Sequence, residues 1–160
     1  MHRLAGLAAA LFAIPLSPAY ALCIYRGVDN VRTTLDQEYR DSRWVVRARL
    51  VSADSRWSDE GESWTLYRLA VVRAYNGAPP RLFTLFTARD SGGFYMDRER
   101  GLPDLGGAYL LFLKPLPRRR GDPPAARGAA FVNYNCGQSG PWARVTPAER
   151  ERLDALSGRR

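Results

Sequence analysis

The sequence predicts a mainly β protein: a small closed or nearly closed barrel of five strands, with a short helix before the first strand and another helix after the last. Three observations lead there. Five runs of strand-like patterning lie between residues 44 and 134. Helix-start chemistry appears on either side of them, near residues 33 and 146. The chain of 160 residues, less a leader, is the size of one domain with a real core.

The leader is residues 1 to 21. Met1-His2-Arg3 is a short basic start, Leu4 to Leu16 is an apolar run too short to span a bilayer comfortably, and Ala19-Tyr20-Ala21 sets small residues where a signal peptidase reads. A lipid anchor on Cys23 is the competing reading, although Leu22 stands where a small residue normally precedes a lipidated cysteine. The expected product is exported, to the periplasm or the outside of the cell. It comprises a barrel over residues 22 to 145 and a C-terminal helix and tail over 146 to 160. No later apolar run is long enough to cross a membrane, so it is expected to be soluble, and as a monomer.

Leu22 to Val31 reads as an extended arm that turns polar at Arg26-Gly27 and Asp29-Asn30. Thr33 or Thr34 caps a short helix over Leu35 to Ser42, with Asp36, Gln37 and Glu38 at its positive end. Trp44 to Ala53 alternates as a half-buried strand. Trp44, Val46, Ala48 and Leu50 take one face, and Arg47 and Arg49 share the other with Val45 and Val51. The polar turn Asp54 to Ser63 leads to a second long strand, Trp64 to Tyr75, which Asn76-Gly77 and Ala78-Pro79-Pro80 terminate. Those two strands should form a long antiparallel hairpin.

Arg81 to Thr87 is a third strand. Ala88 to Gly106 is a long connection with Phe94, Tyr95 and Met96 as its apolar plug, and connections of this length often bind. Gly107 to Leu116, nearly continuous in hydrophobes, is the fourth strand and should be the most buried. Pro115 and Pro117 close it, and the basic loop Arg118-Arg119-Arg120-Gly121-Asp122-Pro123-Pro124 follows. Ala129 to Tyr134 is a short fifth strand delivering Cys136. Thr146-Pro147-Ala148-Glu149 places a cap, a proline at the first helical position and an acid three residues after the cap, and so starts the last helix.

The two cysteines, Cys23 and Cys136, sit near opposite ends of an exported domain and most simply form one bridge; two free thiols are the alternative. Charge narrows the partners less. Arg3 is the one charged residue of the leader, so 23 basic and 16 acidic side chains remain, a formal charge of +7, with Lys114 the single lysine. Such an arginine bias reflects genomic base composition as readily as phosphate binding.

The order of features resembles the netrin-module and tissue-inhibitor-of-metalloproteinase-like superfamily, secreted proteins built on an OB-type barrel. The resemblance rests on Cys23, the helix running into Arg43-Trp44-Val45-Val46-Arg47-Ala48, Val72-Arg73-Ala74-Tyr75-Asn76-Gly77, Gly107-Ala108-Tyr109-Leu110-Leu111-Phe112-Leu113, and Asn135-Cys136-Gly137. It implies an OB-type barrel and a protein partner, a protease among the candidates. In the animal inhibitors a terminal cysteine amine chelates the target's zinc. Here Leu22 precedes Cys23, which ties up that nitrogen in a peptide bond, and Tyr25 stands where those inhibitors have a second cysteine.

Catalysis finds little support. The one histidine, His2, lies in the leader, so the mature chain lacks the side chain most used for acid-base work near neutral pH. No nucleophile elbow, phosphate-cradling glycine loop or metal-ligand spacing occurs. Asp59, Glu60 and Glu62 read as a solvated hairpin tip. Asp97, Glu99 and Asp104, interleaved with Arg98 and Arg100, read as surface pairs. No cofactor or metal is expected.

The reading that results is a non-catalytic, disulfide-stapled module that binds a protein. Its contact edge would comprise the arm Leu22, Cys23, Ile24 and Tyr25, the hairpin tip at Trp57, and the loop at Phe94, Tyr95 and Met96. The alternative is a binder of anionic envelope glycan or lipid headgroups through Arg118, Arg119 and Arg120. Nucleic acid ranks below both, because an exported protein meets little of it.

Overall fold

A computed structural model describes residues 23–57, 63–89, 92–98, 101–117 and 123–158. The leader, Leu22, the hairpin-tip acids Asp59, Glu60 and Glu62, Glu99, and Arg118 to Arg120 lie outside the described residues. In chain order the elements are β1 (Ile24–Tyr25), β2 (Val28–Asp29), α1 (Leu35–Asp41), β3 (Trp44–Arg56), β4 (Trp64–Asn76), β5 (Leu82–Ala88), β6 (Ala108–Pro115), β7 (Ala130–Val132), β8 (Gly140–Pro141) and α2 (Pro147–Ser157). Single 3-10 turns cover Pro124–Ala126 and Trp142–Arg144.

β3 to β7 form a closed five-stranded OB-type barrel. The order is β3-β4-β5-β7-β6, and β6 returns to pair with β3. Every neighbour pair is antiparallel except β5 and β7, which run parallel at Leu85 and Ala130. Closure requires long strands to coil. β3 does so through three register shifts against β4, between Val45 and Val46, Arg47 and Ala48, and Leu50 and Ser52.

The hydrophobic pattern separates into two cores. Val46, Ala48 and Leu50 of β3 fill the barrel with Tyr67, Leu69, Leu85, Leu111 and Leu113, and Phe94 and Met96 plug it from the long loop. Outside the barrel, Val45, Leu110 and Phe112 pack under Tyr39 of α1 and Leu153 of α2. β6 is therefore buried on both faces, which is why its sequence runs without polar alternation. Val45, assigned to the arginine side by alternation, is fully buried because the two helices cover that end of the face.

Both helix starts are capped as expected: Thr34 accepts from the Gln37 amide, and Thr146 and Glu149 form a reciprocal capping box. Asn76 and Gly77 do more than end β4. The Asn76 Nδ2 donates to the Tyr39 and Ser42 carbonyls, 3.2 and 3.1 Å, closing the end of α1. A side chain at Gly77, φ +69°, would meet the Arg43 carbonyl.

Two elements depart from expectation. The arm doubles back as a hairpin, with Arg26 and Gly27 both at positive φ between β1 and β2, the geometry that matches strand twist. The fifth strand stops at Val132, because Asn133 turns away after bonding the Phe112 carbonyl at 2.8 Å.

Candidate functional site

The segment Asn135 to Gly140 is a junction, and each side chain in it has a separate attachment. The Cys136–Cys23 disulfide ties it to the arm with a Cα–Cα distance of 6.0 Å, inside the usual range. The Asn135 Nδ2 donates to the Gly92 carbonyl at 2.6 Å, which holds the long loop. Gln138 donates its side-chain amide to the Thr33 carbonyl at 2.7 Å and its backbone N–H to Glu38 Oε1 at 2.8 Å. The Ser139 hydroxyl accepts from the Phe112 N–H at 3.0 Å, supplying the bond that β6 loses between β7 and β8. A Cβ at Gly137 would overlap the Glu38 carboxylate, so glycine lets α1 approach.

Glu38 is fully buried there. Burial pushes its pKa up, while hydrogen bonds from Thr33 and Gln138 act against the rise. Nearby, Asp41 accepts from the Tyr25 hydroxyl and pairs with Arg26. Burial would raise the Asp41 pKa, but those two donors outweigh it and hold it below its ordinary value. Burial beside the carboxylate pushes the Tyr25 phenol up to about 12. The Tyr134 ring, 5.0 Å from that of Tyr25, completes a small cluster around the disulfide.

A second network occupies the end of the barrel beside the long loop, around Arg89, just past β5. Its guanidinium, 9% exposed, pairs with Asp97 at 2.7 Å and donates to the Thr65 and Tyr67 hydroxyls at 2.7 and 3.3 Å. The rings of Trp57 and Tyr95 lie over it, at 5.1 and 4.7 Å from their centroids. Burial would lower the Arg89 pKa, but the Asp97 bond and neighbouring charges raise it. Burial also pushes Tyr67 up to about 12. The Tyr67 hydroxyl donates to Asp97 and accepts from the Met96 N–H, so it fixes the loop to the barrel wall.

These contacts locate each expected contact residue. Ile24 is 57% exposed and Trp57 is 70% exposed, while Tyr95 is half-buried against Arg89. Cys23, Tyr25, Phe94 and Met96 are buried, so they hold the arm and the loop instead of presenting surface. The surface-pair reading of the loop acids holds for Asp104 with Arg98. It fails for Asp97, whose partner is the buried Arg89. Arg89 and Tyr67 escaped the sequence reading because their meeting depends on how the loop folds back, which no periodicity encodes.

Among the described residues no three His, Cys, Asp or Glu side chains gather to hold a metal ion. No described helix is long and apolar enough to cross a membrane. The Asp97 carboxylate is engaged by Arg89 and Tyr67, and the raised phenols of Tyr25 and Tyr67 each bond a carboxylate, Asp41 and Asp97. No protein-family model matches the chain, and no curated protein matches it.

Proposed function

We propose that this chain is an exported, non-catalytic protein-binding module, similar in plan to netrin-module and TIMP-like barrels, whose contact edge runs from Ile24 to Trp57. One observation carries this reading: a chain of direct contacts joins the three segments expected to form the edge. Trp57 lies over Arg89, Arg89 lies under Tyr95, Gly92 of the same loop accepts from Asn135, and Cys136 is bonded to Cys23 beside Ile24.

The edge therefore consists of exposed apolar side chains on fixed supports, which lowers the ordering cost of binding. Trp57, mostly exposed yet seated on a buried guanidinium, has the chemistry of an interface anchor. The disulfide fits an oxidising compartment. Side chains so engaged in holding the arm and the loop favour recognition over turnover.

The test is capture of a partner from an extracytoplasmic extract at low and high salt, followed by affinity measurement with the partner identified. An apolar protein contact survives the salt, and Trp57→Ala weakens it by about 30-fold, the scale of one interface anchor. Capture that vanishes with salt and ignores Trp57→Ala favours an anionic polymer and ends this reading.

A further inference from the structure

The outer face of β3 and β4, where α2 docks, gathers arginines around two stacked rings. Arg47 and Arg73 are cross-strand partners, and like charges set opposite each other repel. The rings of Tyr75 and Trp142 stack with centroids 6.4 Å apart and planes 17° from parallel. Arg73 lies over Tyr75 at 4.7 Å, and Arg47 and Arg150 both lie over Trp142, at 4.6 and 4.9 Å. Seated on rings, these guanidiniums are held in place.

One carboxylate enters the cluster: Asp154 of α2, paired with Arg73 at 2.7 Å. Arg150 donates its Nε to the Val145 carbonyl at 3.1 Å and has no carboxylate partner among the described residues. Arg47, half-buried, has none either, and its Nε has no hydrogen-bond partner. The other acids of α2 are placed elsewhere. Glu149 accepts from Thr146 and shares with Arg144 a cleft that neither Arg47 nor Arg150 lines. Glu151 is exposed and turned about 100° round the helix from Arg150. Burial pushes the Tyr75 pKa up, and the charges acting on its phenol are Arg73, Asp154, Arg47 and Arg150, three cations and one carboxylate. Two guanidiniums thus stand on one ring with no acid set against them.

We propose that Arg47 and Arg150, with Arg73 beside them, bind a phosphate group, either inorganic phosphate or the terminal phosphate of a lipid headgroup. Either form carries close to two negative charges in mildly alkaline solution, which matches the two unpaired guanidiniums. A carboxylate would leave one of them unmatched. Phosphate oxygens also suit the planar guanidinium fork. The bound anion offsets the repulsion across the Arg47 and Arg73 pair. The site is separate from the Ile24 to Trp57 edge and does not depend on it.

The probe is inorganic phosphate, titrated at pH 8 into the full chain with its disulfide formed and followed by isothermal calorimetry, with sodium chloride holding the ionic strength. Phosphate saturates one site, and acetate under the same conditions does not bind. Arg47→Gln and Arg150→Gln each weaken phosphate by at least about tenfold. Arg127→Gln, which removes the same charge from an exposed position beside the Pro124–Ala126 turn, leaves the affinity unchanged. Asp154→Asn frees Arg73 and tightens binding by about threefold or more, a gain that misfolding cannot produce. Trp57→Ala has no effect, which separates failure here from failure of the edge. Vesicles of phosphatidylcholine with phosphatidate identify the source. Sedimentation of the protein with them, reversed by inorganic phosphate, assigns the headgroup; phosphate binding without sedimentation assigns the free anion. Acetate binding as tightly as phosphate, Arg127→Gln weakening phosphate as much as Arg47→Gln, an Asp154→Asn variant that binds no more tightly, or no binding at millimolar phosphate overturns the proposal.

Discussion

Glu38 accepts from Thr33 and Gln138 through one carboxylate oxygen, while the other, equally buried, has no partner among the described residues. Ionising the group there costs more than in water, so its folded pKa lies above the unfolded one. The stability it contributes is complete below the ordinary glutamate range and is lost as pH rises through the raised value. Asp41 has the opposite sign: its folded pKa is lowered, so its contribution is present above the ordinary aspartate range and lost on acidification. Glu38→Gln keeps the acceptor for Gln138 and removes only the first effect. It is expected to be more stable than wild type at pH 8, with the gap closing as pH falls toward 4, in urea midpoints measured across that range. A gap independent of pH contradicts the assignment. Glu38→Ala, which strands the Gln138 N–H, should instead cost about 1–3 kcal/mol. At this scale local chemistry is legible and through-space chemistry is not. Thr146 and Glu149 announce a capping box by their spacing. Nothing in the spacing announces that Gly137 must be small because Glu38 lies against it from about a hundred residues away.

One cation gathers several of the side chains that hold the long loop between β5 and β6. Phe94 and Met96 sink into the barrel, and Arg89, at the start of the loop, gathers Asp97, Tyr67, Trp57 and Tyr95 around its guanidinium. Arg89→Leu leaves Asp97 half-buried and uncompensated, and should cost about 3 kcal/mol. The loss should concentrate locally: limited proteolysis would cut within residues 89–107 before the barrel unfolds, and tryptophan emission would change as Trp57 loses its seat. Cleavage spread evenly over the chain would show that the network does not hold the loop. Elements themselves were readable where a single period governs them. β3, β4, β5 and β6 appear within a residue or three of their expected bounds, because alternation and flanking Gly and Pro are local signals. β7 is shorter than its hydrophobic run, since Asn133 leaves the ladder for the junction. β8 carries too few residues for any pattern to show, and the arm's turn at Arg26 and Gly27 is written in backbone dihedrals that only the glycine hints at.

For the whole molecule, the arm is tied to the rest by the Cys23–Cys136 disulfide, by Tyr25 and Arg26 on Asp41, and by Tyr134 on the Val31 carbonyl. The arm's own cluster is small, Tyr25 and Tyr134 with Val31 against the disulfide, whereas the barrel has two extensive cores. Bridging residues 113 apart removes about 4–5 kcal/mol of chain entropy from the unfolded state. Reduction should therefore lower the unfolding free energy by about that amount. It should also release amide protection in residues 23–34 first, while β3 to β6 stay protected in hydrogen exchange. Barrel closure was foreseeable from five strands and one domain's length, but the parallel contact of β5 with β7 was not, because it depends on how the chain crosses the barrel's end. The proposed function belongs to this scale too, along the edge that runs from the disulfide-anchored arm to Trp57. It is tested by replacing Trp57 with the photocrosslinker p-benzoylphenylalanine, with the exposed Glu151 on α2 as the control position, and irradiating the protein in an extracytoplasmic extract. One protein adduct, formed from position 57 and not from 151 and unchanged at several-fold physiological salt, is the expected result. No adduct from position 57, the same adducts from both positions, or loss of the adduct with salt would contradict a protein-binding edge.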